Sequence, residues 1–333
     1  MNGAPCGGVH VLLPDSVDDP ARPSGGNVYD RRLIDGLTAL GWPVREHPAA
    51  GPDTLAAACA RLPDGALALL DGLLAPMMPV DHARRLRLVV LLHMSFPGEE
   101  PVLRAARAVI TTSDWSRREV LDRYGIEAHA APPGVDPAPP TTPRPAGDRL
   151  LCVAAVVPHK GHDVLVDALR TLADLSWSCV CVGALDRDPE FAGRVTAAAP
   201  PGVRFVGPRV GADLRAAYAA ADLLVVPSRA ETYGMVVTEA LVRTVPVLAS
   251  DAAGLPETLG RAPDGSRPGL LVPAGDPAAL AGALRRWLTD AGLRAEIRQS
   301  ALLRTTTLTG WPVTAKLVSD VLSTVAPEES PSR

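Results

Sequence analysis

Two carboxylates with a glycine between them stand out in the segment Glu231-Thr-Tyr-Gly-Met-Val-Val-Thr-Glu239. The apolar run before this segment predicts a buried strand, and the segment itself leads into a predicted helix. Unpaired amides in the first turn of a helix, together with the helix dipole, favour anionic phosphate oxygens. We therefore expect amides around Gly234, Met235 and Val236 to bind phosphate, and both carboxylates to grip hydroxyl groups of the same ligand. The alternative is that Glu231 only caps the helix and that Glu239 is solvated.

A lysine lies in a predicted turn between a strand and a helix, in the segment Pro158-His-Lys-Gly-His-Asp163. The ammonium group of Lys160 can donate charge-assisted hydrogen bonds to a diphosphate, although most turn lysines are simply solvated. His159 and His162 are three residues apart but lack further ligands at a convincing spacing. The sequence therefore predicts a phosphate-binding lysine and no metal site.

The first half of the chain contributes a glycine pair and a histidine. Gly25 and Gly26 open a predicted helix soon after the first strand, where the absence of a Cβ lets backbone approach a phosphate or a sugar closely. A lone pair of glycines is a weak signal. His93 ends the apolar run LVVLLH and is therefore expected at the carboxyl end of a strand. The alternative for His93 is a buried structural histidine.

The elements that must position these residues follow one pattern along the whole chain. Short apolar runs alternate with longer segments of helical period, which is typical of βαβ units around a parallel sheet. The strands are predicted at residues 9–13, 66–70, 87–92, 108–111, 150–157, 178–182, 203–206, 223–226 and 245–249. The helices are predicted near residues 28–40, 53–62, 114–124, 163–172, 212–219, 236–242 and 310–325. Ser113 or Asp114 should cap the helix over 114–124.

Residues 131–147 interrupt this alternation with seven prolines, a density that suits an extended connector and excludes a helix or a central strand. A chain of 333 residues exceeds the usual size of a single hydrophobic core. We therefore expect two α/β domains, each a doubly wound parallel sheet, at residues 1–140 and 141–309, with the helix over 310–326 packing back on the first domain. Such sheets bind ligands in the crevice at the carboxyl ends of their strands.

Composition limits the function classes. The chain is 47% hydrophobic and 21% charged, which describes a globular protein. The net charge of −4, with scattered Lys and Arg, makes nucleic acid an unlikely partner. Neither a secretion signal nor a membrane span is predicted, so a cytoplasmic location is expected. The five cysteines, Cys6, Cys59, Cys152, Cys179 and Cys181, are odd in number and widely spaced, so we interpret them as reduced core residues.

Taken together, these motifs resemble retaining glycosyltransferase family 4, which has the GT-B fold of two Rossmann-like domains facing a central cleft. The family's donor element, PS-x-x-E-x-(F/Y)-G-x-x-x-x-E, is matched here by Pro227, Ser228, Glu231, Tyr233, Gly234 and Glu239. The resemblance implies that Glu231 contacts the transferred sugar and that Glu239 binds the ribose. It also implies that Lys160 binds the diphosphate, that Gly25 and Gly26 face it, and that His93 lies near the sugar. Asp136 resembles a family turn and is interpreted as structural.

The chain departs from this family pattern at several places. The family usually carries an arginine five residues before the lysine, but Ala155 occupies that position here. Either another residue such as Arg229 compensates, or stabilisation of the leaving group is weaker. Thr244 and Ala253 stand where the family normally has glycines. These changes lie near the expected donor pocket and could alter which nucleotide or sugar fits.

The resulting hypothesis is a metal-independent, retaining hexosyltransferase that moves a sugar from a UDP- or GDP-sugar to a small polar acceptor in specialised metabolism. No cofactor beyond this co-substrate is expected, and a homodimer is a candidate assembly. The low aromatic content, 4%, argues for the small polar acceptor. Alternatives are a nucleotide-sugar epimerase or hydrolase of the same fold and a non-catalytic sugar-binding subunit. A nicotinamide dehydrogenase is disfavoured because no G-x-G-x-x-G joins the first strand to its helix.

Overall fold

The computed structural model describes residues 8–21 and 23–326, so Cys6 lies outside the described residues. The chain divides into two compact units, which are described separately. Among the described residues, one comprises 8–19, 24–134 and 310–326, and the other comprises 20–21, 23 and 135–309. The described part of segment 131–147 contains neither helix nor strand, and the change from one unit to the other after Gly134 lies within it.

The first unit is built on a six-stranded parallel sheet in the order β2-β1-β3-β4-β5-β6. Its strands are β1 (Val9–Pro14), β2 (Val44–Ala49), β3 (Leu67–Asp71), β4 (Arg87–Leu92), β5 (Ala108–Thr111) and β6 (His129–Ala130). Its helices are α1 (Gly25–Ala39), α2 (Pro52–Ala60), α3 (Val80–Arg85), α4 (Glu100–Ala105) and α5 (Asp114–Tyr124). The central strand β3 is buried along its full length, as expected for a parallel sheet covered on both faces.

The second unit repeats this architecture with the strand order β12-β11-β10-β7-β8-β9. Its strands are β7 (Arg149–Val153), β8 (Ser178–Val182), β9 (Val203–Phe205), β10 (Leu223–Val226), β11 (Val247–Asp251) and β12 (Gly269–Pro273). Its helices are α6 (His162–Arg170), α7 (Pro189–Ala198), α8 (Gly211–Ala219), α9 (Met235–Leu241), α10 (Leu255–Leu259), α11 (Pro277–Thr289) and α12 (Ala291–Arg304). The prediction of doubly wound α/β sheets is confirmed.

The last helix, α13 (Trp311–Val325), belongs to the first unit and packs on α1. The packing is close, because a Cβ added to Gly36 of α1 would lie 2.5 Å from the Cβ of Ala315. The rings of Tyr29 and Trp311 meet edge to face with their centroids 5.7 Å apart. This contact anchors the first turns of α1, which carry several of the residues discussed below.

Short 3₁₀ turns follow the carboxyl ends of three strands, at Asp15–Asp18, Gly72–Met77 and Pro158–Lys160, and a fourth lies at Thr305–Thr307. Ser113 caps α5 by accepting a hydrogen bond from the amide of Ser116 at 3.0 Å, as predicted. The four cysteines within the described residues are free and buried. None of the described helices has the length and apolar character needed to cross a bilayer.

Candidate functional site

Lys160 and Glu231 meet at the carboxyl ends of two neighbouring strands of the second unit. Lys160 ends the 3₁₀ turn after β7, and Glu231 lies in the loop after β10. Strands β7 and β10 pair in register, so both loops leave the same edge of the sheet. The Lys160 Nζ donates to Glu231 Oε2, and the two side chains are only 22% and 18% exposed. The sequence predicted both residues as donor-binding, and the structure brings them together.

A glycine makes this meeting of the two loops feasible. Gly161 has a φ of +71°, and a Cβ there would lie 2.0 Å from the carbonyl oxygen of Pro227. A backbone hydrogen bond also joins the two loops, because the amide of Arg229 donates to the carbonyl of His159 at 2.8 Å. The loop that carries Lys160 and the loop that carries Glu231 are therefore fixed against each other.

Arg229 braces the same pair of loops with its side chain. Its guanidinium donates to both carboxylate oxygens of Asp163, at 2.8 and 2.7 Å, and to the carbonyl of Pro158 at 2.7 Å. Burial alone would raise the pKa of Asp163, but the hydrogen bonds and charge of Arg229 hold that pKa below its ordinary value. In this arrangement the Arg229 side chain is engaged by Asp163 and Pro158, and its part in donor binding stays a prediction.

Two further glycines shape the loop that carries Glu231. Gly234, at a φ of +83°, precedes α9, and a Cβ there would lie 2.8 Å from the Leu255 side chain and 3.1 Å from Glu231 Cγ. The amide of Gly254 donates to the carbonyl of Glu231 at 2.8 Å. Met235 and Val236 form the first turn of α9, where amides have no partner within the helix. The amides predicted to bind phosphate, around Gly234, Met235 and Val236, therefore lie at the start of α9, shortly after Glu231 in the chain.

Glu239 lies further along α9 and has a different partner from Glu231. Its Oε2 accepts a hydrogen bond from the hydroxyl of Tyr218 at 2.7 Å. Burial raises the pKa of Glu239, while the Tyr218 hydrogen bond and the charge of Arg243 act in the opposite direction. The Arg243 guanidinium stacks on the Tyr218 ring at 5.0 Å from its centroid. Tyr233, the remaining predicted donor residue, is a half-buried phenol whose pKa burial raises to about 12.

In the first unit, Gly26 and His93 lie in contact. A Cβ added to Gly26 would lie 3.2 Å from His93 Cδ2, so a side chain there would push against the imidazole. Gly25 begins α1, and Ser24 caps the helix by accepting from the amide of Asn27 at 3.1 Å. The structure thus places the predicted glycine pair beside the predicted histidine.

His93 also has two acidic neighbours that the sequence analysis did not single out. Its Nε2 donates to Asp30 Oδ1 at 2.9 Å, and Asp71 at the end of β3 completes the group. Burial alone would lower the pKa of His93, but the charges of Asp30 and Asp71 raise it to about 9. Burial and the charge of Asp30 raise the pKa of Asp71 to about 7. The ligating atoms of these three side chains lie within 4.8 Å of one another. The direct Asp30–His93 contact makes them a hydrogen-bonded cluster of one imidazole and two carboxyl groups.

Some of the residues missed by the sequence analysis carried a signal and others did not. Asp71 directly follows the buried run LALL, so its position at a strand end could have marked it. Asp30 and Tyr218 occur within ordinary helical patterns, and nothing in the sequence marks their partners. The partners of Asp30 and Tyr218 lie 63 and 21 residues away along the chain.

Known proteins resemble both the second unit and the whole chain. Residues 147–290 match the family model described as glycosyl transferases group 1. A D-inositol 3-phosphate glycosyltransferase of Salinispora arenicola is 34% identical over 241 residues, which cover 61% of this chain and 52% of that protein. The enzyme of the same name from Kineococcus radiotolerans is 31% identical over 262 residues, covering 67% and 58%.

Solved structures extend the likeness to nearly the full chain. A sucrose-phosphate synthase of Thermosynechococcus elongatus superposes with a TM-score of 0.75 at 21% identity, covering 96% of this chain and 99% of that one. Anabaena HepE, in complex with UDP and glucose, gives a TM-score of 0.70 at 19% identity, covering 95% and 99%. The chain belongs to the group 1, family 4-like glycosyltransferases of the GT-B fold. The fold and family expected from the sequence are therefore confirmed.

The coverage and the sequence identity of these matches limit what they show about this chain. This family 4-like chain spans about half the length of the curated relatives it matches. At identities below 25%, the solved structures establish its fold alone. The donor, the acceptor and the stereochemical course therefore rest on the chemistry of its own residues.

Proposed function

We propose that this chain is a retaining glycosyltransferase that moves a sugar from a UDP- or GDP-sugar to a small polar acceptor, with a role in specialised metabolism. It would need no metal ion and no cofactor other than the nucleotide sugar. The contact between Lys160 and Glu231 is the observation that carries this proposal.

That ion pair matches the charges of a nucleotide sugar. A diphosphate would attract the Lys160 ammonium more strongly than one carboxylate does, since it brings two negative charges to the same place. Glu231 would then be released to accept hydrogen bonds from sugar hydroxyls. Ligand binding would thus replace the pair by two new interactions, and neither charge would be left buried and alone.

The proposed reaction uses these groups at the breaking bond. The bond between the anomeric carbon and the diphosphate oxygen breaks, and its electron pair stays on the diphosphate. Lys160 and the first-turn amides of α9 stabilise that negative charge. The acceptor hydroxyl attacks the same face of the sugar, and its proton passes to the departing phosphate oxygen. The anomeric configuration is thereby retained. Because charge neutralisation falls to Lys160 and the amides, the proposed step needs no metal.

The comparisons support a donor of this type. The curated relatives carry the name of a glycosyltransferase acting on D-inositol 3-phosphate. The structural neighbour from Anabaena was solved with UDP and glucose. A small, oxygen-rich acceptor and a uridine or guanosine nucleotide are therefore the first substrates to try.

Donor binding and transfer can be tested separately. Thermal-shift measurements with UDP, GDP, ADP, TDP and NAD identify the nucleotide, and product analysis by mass spectrometry and NMR identifies the transferred sugar and its anomeric configuration. Glu231→Gln should still bind the nucleoside diphosphate, because Lys160 and the α9 amides are kept, but should lose transfer, because the charged acceptor for the sugar hydroxyls is gone. Lys160→Met should lose both. A response to NAD alone, or an inverted product, would contradict the proposal.

Two matched substitutions control for general effects on the fold. Asp174→Asn makes the same carboxylate-to-amide change in the ion pair with Arg285, which lies on the surface of the second unit. Lys316→Met removes the other lysine of the chain, which pairs with Asp320 on α13. Both variants should transfer sugar as the wild type does. If they lose activity to the same degree as the site variants, the effect is not specific to the Lys160–Glu231 pair.

Ala155 favours one competing function, a non-catalytic sugar-binding subunit, because one expected cation is missing. That subunit would bind the nucleotide sugar and leave it intact with every acceptor. An epimerase or hydrolase would instead consume the donor without an acceptor. Following the donor by NMR with and without acceptors distinguishes all three, since only a transferase makes donor loss depend on the acceptor.

A further inference from the structure

Three titratable side chains meet in the interior of the first unit. Asp30 comes from α1, Asp71 ends β3, and His93 follows the neighbouring strand β4. Asp30 and Asp71 are only 4% and 6% exposed, and the His93 side chain is 17% exposed. Buried ionised groups need partners, so the charge balance of this cluster is constrained by its geometry.

Ionisation of both carboxyl groups at once is disfavoured by electrostatic repulsion. An oxygen of each carboxyl group lies within 4.8 Å of one of the other, and like charges so close in a buried place strongly disfavour double ionisation. Asp71 Oδ1 accepts from the amide of Leu73 at 2.7 Å, and Asp30 Oδ1 accepts from His93. Asp30 Oδ2 is buried and receives no hydrogen bond. One proton on Asp71 would supply that missing donor.

The walls around the two carboxyl groups offer few other groups that could compensate their charge. The cavity beside them has a volume of about 10 Å³, and its other walls are aliphatic side chains of β1, α1, β3 and β4. A volume of that size is at the lower limit for a single water molecule. Charge compensation must therefore come mainly from the three side chains themselves.

Tyr29 and Arg31, the two neighbours of Asp30 on α1, have partners of their own. The Tyr29 ring packs edge to face on the imidazole at 5.1 Å, and its hydroxyl donates to the carbonyl of Ala131 at 2.9 Å. Arg31, the next residue of α1, binds Asp18 and Glu46 instead. The charges that act on His93 are those of Asp30 on α1 and Asp71 on β3.

We propose that Asp30 is a positioning residue that holds His93 as an imidazolium, while Asp30 and Asp71 share one proton, so that the cluster is neutral overall at physiological pH. The balance is one negative charge shared by the two carboxyl groups and one positive charge on the imidazole. The raised pKa values of His93 and Asp71 agree with this distribution. Asp71 is the carboxyl group that carries the shared proton. A neutral hydrogen-bond donor in its place should therefore keep His93 protonated.

The consequence for catalysis rests on the proposed function. A cationic His93 beside Gly26 would favour ligand oxygens that carry negative charge, such as those of a phosphate, over neutral hydroxyls. Its contribution would persist across neutral pH, where an ordinary histidine with a pKa near 6.5 loses its charge.

The test is an NMR titration of histidine-labelled protein, using the full chain without any nucleotide or acceptor. The His93 resonance is assigned by its loss in His93→Gln. We expect His93 in the wild type to remain protonated at pH 7.5 and to titrate near pH 9. In Asp30→Asn, the midpoint should fall by roughly one pH unit or more, because the hydrogen-bonded carboxylate becomes a neutral amide and only the charge of Asp71 remains. Titration of wild-type His93 near its ordinary pKa would overturn the proposal.

Asp71→Asn distinguishes the shared proton from a second negative charge. Its amide can donate to Asp30 Oδ2 as a protonated Asp71 would, so His93 should stay protonated at pH 7.5 in this variant. A fall in the His93 midpoint as large as that in Asp30→Asn would contradict the shared proton. If Asp30→Asn fails to fold, the wild type and Asp71→Asn still decide the question.

The titration does not depend on catalytic activity, so its failure is separate from failure of the proposed function. Once transfer is measured, Asp30→Asn should lower kcat and move the basic limb of the pH profile toward neutral pH. Nucleoside diphosphate binding by the second unit should remain as in the wild type. A uniform loss of activity with an unchanged pH profile would indicate a purely structural role for Asp30 and would contradict the positioning role.

Discussion

The hydroxyl of Tyr218 donates a hydrogen bond of 2.7 Å to the carboxylate of Glu239. Tyr218 lies on α8 and is almost fully buried, whereas Glu239 lies on α9 and is half-buried. The contact fixes one oxygen of the carboxylate that is predicted to bind the ribose. Burial and the negative charge of Glu239 raise the pKa of Tyr218 well above its ordinary value, so it remains a donor at every accessible pH.

Tyr218→Phe should weaken nucleoside diphosphate binding by about tenfold, because a hydrogen bond to a charged group contributes roughly 1.5 kcal/mol or more. Removing this donor should also raise the pKa of Glu239 further above its ordinary range. Binding that needs the ionised carboxylate would then be lost at a higher pH as the solution is acidified. Isothermal titration calorimetry between pH 5 and pH 8 measures both effects.

Tyr124→Phe is the matched control for this experiment. Tyr124 donates to Glu99 at 3.1 Å in the first unit, so the variant removes the same chemical group from a similar buried pair. It should leave nucleotide affinity and its pH dependence unchanged. Equal losses in the two tyrosine variants would mean that Glu239 is not a ribose ligand.

Two residues other than glycine adopt a left-handed backbone among the described residues, and both stand where the family normally has glycine. Thr244 has a φ of +61° and Ala253 has a φ of +49°. A side chain in this region costs about 1 kcal/mol or more, and β-branched threonine is especially unfavourable there. Thr244→Gly should therefore stabilise the protein by roughly 1 kcal/mol, measured as a higher midpoint in urea unfolding.

Thr171→Gly is the comparison variant, in which glycine should lower the free energy of unfolding instead of raising it. Thr171 also follows a helix, α6, but has a φ of −81°, which is an allowed conformation for any residue. Glycine there should destabilise by about 0.5 to 1 kcal/mol through its greater freedom in the unfolded chain. If both glycine variants destabilise the protein, the left-handed backbone at Thr244 stores no strain.

The periodicity of the sequence predicted nine of the twelve strands and seven of the thirteen α-helices within the described residues, without β2, β6 and β12 among the strands. Parallel central strands are continuous apolar runs, so β4, β5, β8 and β10 were predicted with the bounds the structure shows. Edge strand β2 was missed because its residues, VREHPA, are mostly polar and include a proline. The strand predicted over 150–157 ends at Val153, because the backbone then turns with the amide of Val157 on the carbonyl of Ala155.

The candidate site was predictable only where chemistry coincides with a strand end. His93 follows β4 directly in the first unit, whereas Lys160 and Glu231 lie in the loops after β7 and β10 of the second unit, where the carboxyl ends of neighbouring strands bring loops together. Asp30 and Tyr218 instead act from helices, α1 in the first unit and α8 in the second. Which helical residue faces a given strand end depends on tertiary packing, and no local pattern in this sequence records it.

The charge state of the first-unit cluster predicts how stability varies with pH. The His93 pKa is raised to about 9, so its ion pair stabilises the fold fully below its unfolded pKa and this contribution is lost as the pH rises through 9. The Asp71 pKa is raised to about 7, which acts in the same direction between its unfolded pKa and pH 7. The unfolding free energy of the wild type should therefore fall as the pH rises from 7 to 9.5.

Asp30→Asn should reduce that fall. With its hydrogen-bonded carboxylate replaced by a neutral amide, His93 titrates at a lower pH in the variant, so less of its charge is lost between pH 7 and pH 9.5. The stability difference between wild type and variant should be largest near pH 7 and should narrow above pH 9. Urea unfolding followed by circular dichroism at half-unit pH steps measures it. Parallel curves for the two proteins would show that the cluster does not titrate in this range.

Ala155 gives the last prediction, since it occupies the position of the family's second cation. The residue is half-buried at the carboxyl end of β7, five residues before Lys160. Arg229 is engaged by Asp163 and Pro158, so in the proposed donor site the diphosphate would depend on Lys160 for side-chain charge. In Ala155→Arg, the added charge should tighten nucleoside diphosphate binding about tenfold, equivalent to roughly 1.4 kcal/mol, and raise kcat for transfer.

Ala155→Gln separates charge from bulk, because glutamine is long and polar but neutral. It should leave both affinity and kcat near their wild-type values. If arginine and glutamine have equal effects, the gain comes from packing, and if neither changes binding, the diphosphate does not approach this strand end. A gain confined to arginine would mean that this chain has a weaker leaving-group site than its family pattern allows, and that Lys160 alone supplies the side-chain charge.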